Sequence, residues 1–483
     1  MDQQTRNYLE RLSEKLDQKC PMNPERRELY EEFLKFWPTA FSRWIDYIRE
    51  EIEINNVESV QKLFNRCLPK VPNVKLFVEY INFVKSQHSD PSVICASYDY
   101  AISQIGLDMD ALEIYESYID YIESVPDNQI SMDVPRNVFH LALDVPMHNL
   151  PNFQQRYHKF EETKNAQGAN ALLKVWDQRA KESKSAYFQK KSRHKLLRYN
   201  LLEQNNSYFD LLHRWRIYLD FELQNPLKLK PDRHQAFVIY AYRCALIPLR
   251  YSWLIWHDYC QFLISCGDDN SALEAYKEAI SVLPHNLLLN FSYAELLESR
   301  KRSTEAHAVY QRVLETTSKI DERTLSMIQF LKFVQRTEGP NSMRQQFIKF
   351  VDQTEYTYHL FLAIASIENS VNLNVDASKR ILMECFSRNQ NDEACLEEIV
   401  KLLIHIGANN ELALVMNHAK SVMSQEKRLT LCWTLLDHLR CIPESETIML
   451  NIESDILEMS PNITREQMNL YNFFLPIDMS KPK

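Results

Sequence analysis

Three features of the sequence carry residue types that could do chemistry: the carboxylate pair Asp268-Asp269, fourteen histidines, and a run of cations between residues 183 and 202. Paired acids can hold a divalent metal, as in helical terpenoid enzymes. Here the run reads Asp268-Asp269-Asn270-Ser271-Ala272 and lacks the third acid, so a turn and a helix cap are expected, with Asn270 as a cap. No histidine lies in an HExxH pair, and no Cys/His cluster has zinc spacing. His257, beside Trp256, reads as a helix-surface residue. There is no GxSxG elbow, and the glycines at 106, 168, 267, 339 and 407 are too far apart for a phosphate loop. Each sits near an expected helix end, which suits C-capping. No catalytic residue, metal or cofactor is expected.

The cations are Lys184, Lys190, Lys191, Arg193, Lys195 and Arg198, and residues 183–202 contain no acid. In a chain of formal net charge −9 such a run could face an RNA backbone, dock an acidic partner, or serve nuclear import. A solvated helix face is the plain alternative. Any RNA affinity here would be salt-sensitive and blind to sequence.

The elements that carry these residues are helical. The 483 residues include five glycines, where average usage would give about 34. Glycine supplies the positive φ of tight hairpins, so sandwiches, barrels and dinucleotide-binding folds are excluded. The ten cysteines include no CxxC, and Cys67 and Cys244 fall at helical core positions, which implies reduced thiols. The chain opens with the polar MDQQTRNYLERLSEKL, unlike a secretory leader, and no 18-residue apolar stretch suggests a membrane span.

An aromatic pattern with steps of three and four recurs along the chain. It appears as Trp44, Tyr47, Glu50; Phe77, Tyr80; Tyr115, Tyr118; Phe153, Tyr157, Glu161; Trp215, Tyr218, Glu222; and Trp256, Tyr259. Asn290, Tyr293, Leu296 is a degenerate copy. A second helix follows each stripe, and carries Tyr276 and Tyr310 in its later copies. Pro69, Pro248 and Pro284 stop such helices, and Ser303 is placed to cap one. Trp44 to Phe77 is 33 residues and Trp256 to Asn290 is 34, the period of a helix–turn–helix repeat. One pair cannot cover its own apolar face, so pairs must stack. The rings are expected in the core, and Glu161 and Glu222 are expected to pair with groups on neighbouring helices. Beyond residue 340 the aromatic pattern fades, though YTYHLFLAIASIE (356–368) stays amphipathic.

Aromatic-x-x-Tyr-x-x-x-Glu with a second-helix Tyr-x-Arg-Ala/Cys-Leu resembles the HAT (half-a-TPR) repeat. SVQKLFNRCLPKVPNVKLFVEYINFV (59–84), LPNFQQRYHKFEE (150–162), WRIYLDFELQNPLK (215–228) and FLKFVQRTEGPNSMRQQF (330–347) resemble the suppressor-of-forked family, the large scaffold subunits of cleavage stimulation factor. That resemblance implies an all-α fold, an α-solenoid of about a dozen HAT helix pairs in two blocks. Residues 1–204 would form the N-terminal block, ending in a long polar helical stretch over 164–203. Residues 205–460 would form the C-terminal block, with a dimerisation part at about 340–460, and 461–483 a short tail. It further implies a non-catalytic nuclear scaffold for pre-mRNA 3′-end cleavage and polyadenylation. The partners implied are a second copy, an RNA-recognition-motif subunit and polyadenylation-specificity subunits, with RNA met mostly indirectly and no membrane. The family usually carries a Pro-rich tail that grips the RNA-recognition-motif subunit. This sequence reaches Lys483 without one, so tail-borne binding is not implied for it. Two other readings stand beside this one: a HAT scaffold of the spliceosome or of ribosome biogenesis, and a helical enzyme with a closed cavity and convergent acids.

Overall fold

The computed structural model describes residues 3–18, 20–126, 130–164, 169–197, 208–225, 228–439 and 446–460. These residues form α-helices and no strand. Contacts divide the chain into two compact units, Met1–Leu289 and Asn290–Lys483. The boundary expected at residue 204 lies outside the described residues.

The first unit contains α1 (Gln3–Asp17), α2 (Pro24–Phe36), α3 (Phe41–Glu53), α4 (Val57–Cys67), α5 (Val74–Gln87), α6 (Pro91–Ile105) and α7 (Leu112–Ser124). It continues with α8 (Asp133–Leu143), α9 (Leu150–Lys164), α10 (Ala169–His194), α11 (Tyr208–Leu223), α12 (Pro231–Ala245), α13 (Trp253–Ser265) and α14 (Asp269–Val282). At the boundary α15 (Leu287–Ser299) begins, followed in the second unit by α16 (Ser303–Thr316), α17 (Ile320–Thr337), α18 (Pro340–Gln353), α19 (His359–Ser370) and α20 (Val375–Arg388). The last helices are α21 (Glu393–Ile406), α22 (Asn409–Val422), α23 (Gln425–Leu439) and α24 (Glu446–Met459). Odd-numbered helices pack on the even-numbered helix that follows, as α3 on α4, α13 on α14 and α19 on α20, and even helices meet the next odd one at α2–α3, α6–α7, α8–α9, α10–α11, α12–α13, α16–α17 and α20–α21. The expected repeat is therefore the observed one: stacked helical hairpins, with every aromatic stripe on an odd-numbered helix.

Local chemistry sets the ends of the helices. The side chains of Asn56, Asp90, Asp268, Asn374 and Asp392 accept backbone N–H bonds in the first turns of α4, α6, α14, α20 and α21. The Asp268-Asp269 pair is thus a cap, but the capping residue is Asp268 and Asn270 lies inside the helix. Ser303 likewise falls within α16, whose cap position is Arg302, because the turn closes one residue earlier than the sequence suggested. Pro69, Pro248 and Pro284 follow the ends of α4, α12 and α14. Gly407 ends α21 at φ 72°, a left-handed cap that glycine enters without strain. Gly106 matters for space: a Cβ there would come within 2.4 Å of the Ile102 carbonyl oxygen and 2.6 Å of the Tyr115 hydroxyl.

Successive hairpins are joined by aromatic pairs between an even helix and the next odd one. Tyr30 of α2 stacks on Tyr47 of α3 with centroids 4.7 Å apart. Phe64 meets Tyr80 at 5.4 Å, Tyr98 meets Tyr118 at 4.5 Å, Phe139 meets Tyr157 at 5.3 Å, and Tyr242 meets Tyr259 at 5.4 Å. Such pairs add about 0.5–1.5 kcal/mol each beyond burial.

Within the first unit, α12 runs across the ends of earlier hairpins. Arg233 pairs with Asp144, just beyond α8. The Tyr240 hydroxyl donates to Asp108 at 2.6 Å, in the loop between α6 and α7. Arg243 donates to Gln104 at 2.9 Å. Past the helix end, the Ile247 carbonyl accepts from Thr39 Oγ1 at 2.7 Å and Trp37 Nε1 at 3.2 Å, after α2. No periodicity in the sequence announces these contacts.

Candidate functional site

The motif residues are used inside the stack. Trp44, Tyr47, Phe77, Tyr115, Tyr118, Tyr157, Glu161, Trp215, Tyr218, Glu222, Trp256, Tyr276, Tyr293 and Tyr310 are buried, and Glu50, Tyr80 and Tyr259 are half-buried. Burial removes the ring faces from any stacking on nucleic-acid bases. It also pushes the Tyr47 and Tyr310 hydroxyls up to about 12, so both stay protonated. The Trp44 and Trp256 indoles donate to the carbonyls of Pro38 at 2.8 Å and Arg250 at 2.7 Å, six residues back in each case.

Each buried acid meets a cation from the preceding hairpin. Arg136 Nε of α8 donates to Glu161 of α9 at 2.7 Å. Lys190 Nζ of α10 lies 2.8 Å from Glu222 of α11. Two further members escaped the sequence reading. In the first copy the fully buried acid is Glu51, which receives Arg27 of α2 at 2.6 Å. Glu50 instead takes Arg26 and the Tyr30 hydroxyl on the half-exposed side. In the second unit Glu368 of α19 is fully buried and accepts from Arg344 Nε and Nη2, each at 2.7 Å. Burial raises the Glu368 carboxyl and the Arg344 and Asn372 bonds outweigh it, leaving it below its ordinary value. The usable signal was position: Glu51 stands four residues after Tyr47, as Glu161 stands after Tyr157 and Glu222 after Tyr218. Phe361, Ile364 and Glu368 keep that spacing with isoleucine in place of tyrosine.

The six-cation run divides. Lys190 is 1% exposed, between Glu222 and the Phe237 ring, with its ammonium 4.4 Å from the ring centroid. It belongs to the hairpin junction and not to a surface patch, because it faces α11 while its neighbours turn outward. Lys184 and Lys195 are exposed. Lys191 is half-exposed over Tyr187, and the Arg193 guanidinium lies 4.3 Å from the Phe221 centroid. Arg198 lies outside the described residues. Lys184, Phe188 and Lys191 are spaced four and three apart on α10, which aligns them on one face, and Phe188 is 61% exposed. This face can bind charge; it positions no nucleophile or acid–base pair.

A cleft of about 690 Å³ opens over α13 and α14, lined by Lys70, Arg243, Arg250, Glu274, Lys277 and Glu278. Its acids face cations and not each other: Arg250 meets Glu278 at 3.0 Å and Lys277 meets Glu274 at 2.6 Å. The convergent acids that a helical enzyme would need are not what this cleft offers. No helix among the described residues is long and apolar enough to cross a membrane.

Against known proteins, residues 2–463 match the family described as suppressor of forked protein. The chain is 22% identical over 416 residues to cleavage stimulation factor subunit 77 of Arabidopsis thaliana, covering 82% of this chain and 56% of that protein. It is 24% identical over 466 residues to protein suppressor of forked of Drosophila melanogaster, covering 82% and 60%. It is 26% identical over 305 residues to the mRNA 3′-end-processing protein rna14 of Schizosaccharomyces pombe, covering 60% and 42%. The chain thus spans about half the length of these curated relatives. A crystal structure of CstF-77 superimposes with a TM-score of 0.62 at 18% identity, covering 90% of each chain, and shares the fold.

Proposed function

The chain belongs to the suppressor of forked family, and on that premise we propose that it is a non-catalytic scaffold of the nuclear machinery that cleaves and polyadenylates pre-mRNA 3′ ends. One observation carries the reading: the repeated Tyr, Trp and Glu side chains are consumed in joining hairpin to hairpin, which leaves the outward faces for other proteins. The names of relatives in a plant and a yeast, as a cleavage stimulation factor subunit and an mRNA 3′-end-processing protein, support the same process.

In this reading the chain dimerises through residues of about 340–460 and bridges an RNA-recognition-motif subunit to polyadenylation-specificity subunits. RNA is met mostly through those partners. The outward face of α10, with Lys184, Phe188 and Lys191, suits an acidic segment of a partner subunit that also carries an apolar side chain. Affinity purification from the source cell tests the assembly. Polyadenylation factors are the expected co-purifying proteins, and spliceosomal or pre-ribosomal proteins in their place would overturn it. Light scattering on the purified chain should give about twice 57.3 kDa, and a monomer at micromolar concentration would remove the dimer. Lys184→Glu with Lys191→Glu should lose one partner while the rest of the assembly is retained; full retention would clear α10 of that role.

A further inference from the structure

The loop between α6 and α7 carries Asp108 and Asp110, and α10 ends on His194. One ligand-type atom of each lies within 4.8 Å of the other two. His194 is 84 or more residues from the two aspartates in the chain, so no spacing motif could reveal the group.

The carboxylates are held from outside. The Tyr240 hydroxyl of α12 donates to Asp108 Oδ2 at 2.6 Å, and the Asp110 N–H donates to Asp108 Oδ1 at 2.9 Å. Each bond leaves lone pairs on the carboxylate oxygens. Beside Asp110 lies a second imidazole: His148 Nε2 is 3.4 Å from Asp110 Oδ1, and its Nδ1 is 2.6 Å from the Tyr187 hydroxyl. That separation is long for an N–H···O bond. The Tyr187 bond on Nδ1 fixes this ring with Nε2 toward Asp110, at the edge of the group.

Charge supports the same reading. Among the described residues neither Asp108 nor Asp110 is ion-paired with lysine or arginine; the groups against them are the imidazoles of His148 and His194, the Tyr240 hydroxyl and the Cys244 thiol. Once both are deprotonated, as metal binding requires, the two carboxylates carry the charge that balances one divalent cation. Mixed nitrogen and oxygen donors favour a zinc-type ion over magnesium or calcium, which prefer all-oxygen shells.

We propose that Asp108, Asp110 and His194 form a binding site for a divalent ion of the zinc type, its remaining position open to water. The ion would tie the α6–α7 loop to the end of α10 and, through Tyr240, to α12. It would stabilise the first unit by binding the folded chain in preference to the unfolded one. The inference does not rest on the scaffold reading.

The test uses the whole chain, stripped with a chelator and titrated with zinc(II) by calorimetry, with thermal unfolding followed in parallel. One zinc per chain and a raised melting temperature are expected. Asp110→Asn alters a largely exposed side chain, and its fold is checked by circular dichroism. It and His194→Gln should each weaken zinc binding at least about tenfold, and Tyr240→Phe, which removes only the outer bond, by about 10–100-fold. Absence of zinc uptake would overturn the site. So would uptake unchanged in a folded Asp110→Asn chain, which would place the metal on cysteines or elsewhere.

Discussion

Glu222→Gln removes one charge from the Lys190–Glu222 pair and leaves the other where water cannot reach it. The two side chains are 2% and 4% exposed and their charged atoms are 2.8 Å apart. At an effective dielectric constant of about 20, that separation corresponds to roughly 6 kcal/mol of attraction. Desolvation of both ions offsets most of it, so the pair as a whole contributes little against an apolar replacement. Breaking it is different. The Lys190 ammonium would keep its position over Phe237 with no counter-charge, and the expected loss is about 3–5 kcal/mol. Lys190→Met should cost about as much by stranding Glu222. The double variant Lys190→Met/Glu222→Leu should recover most of the loss, because no buried charge remains. A stack of hairpins need not unfold in one step, so the readout is amide hydrogen exchange in α10 and α11. At about 1.4 kcal/mol per decade, protection in the single variants should fall by about two to four decades. Exchange in Glu222→Gln equal to the parent would refute the reasoning. So would a double variant as unprotected as the two singles summed.

Three further outcomes follow from burial and space. Trp215→Ala, which empties a fully buried site, should lower stability by about 3–5 kcal/mol, whereas Tyr259→Ala, half-buried, should lose about half as much; equal losses on chemical denaturation would mean the ring environments are misjudged. Gly106→Ala should destabilise by about 1–3 kcal/mol, since its Cβ meets a backbone carbonyl oxygen that cannot retreat, and an unchanged melting temperature would contradict that packing. Burial beneath Trp176 lowers His140 to about 4, so the unfolded chain takes up this proton first as pH falls below about 6.5; the folded state should lose about 1–2 kcal/mol, discounted for partial exposure, between there and about pH 4, and His140→Gln should flatten that slope in the pH dependence of melting.

The alternation of helices, the phase of the aromatic stripes and the Pro stops were fixed by local rules, and those rules are legible in one dimension. A ring three or four residues from the next must share a helical face, and a face that apolar must meet a neighbour. Position also identified Glu161 and Glu222 as internal ion-pair members. The same rule applied strictly would have chosen Glu51 over Glu50 and found Glu368, where isoleucine replaces the expected tyrosine. Other assignments depend on which way a helix is rotated about its axis. Lys190 and Lys191 are adjacent in sequence and alike in chemistry, yet one is sealed against Glu222 and the other reaches solvent. Only the packing of α10 on α11 separates them.

The sequence by itself determined that this chain is built of stacked helical hairpins, because the period of its rings and the scarcity of glycine leave no other way to bury them. Tertiary structure decided what crosses between distant hairpins: α12 reaching Asp144, Asp108, Gln104 and, past its end, the turn after α2, and the meeting of Asp108, Asp110 and His194. The physical reason is range. A helix face is written in residues three and four apart, whereas the approach of hairpins far apart in the chain is set by the summed geometry of every interface between them.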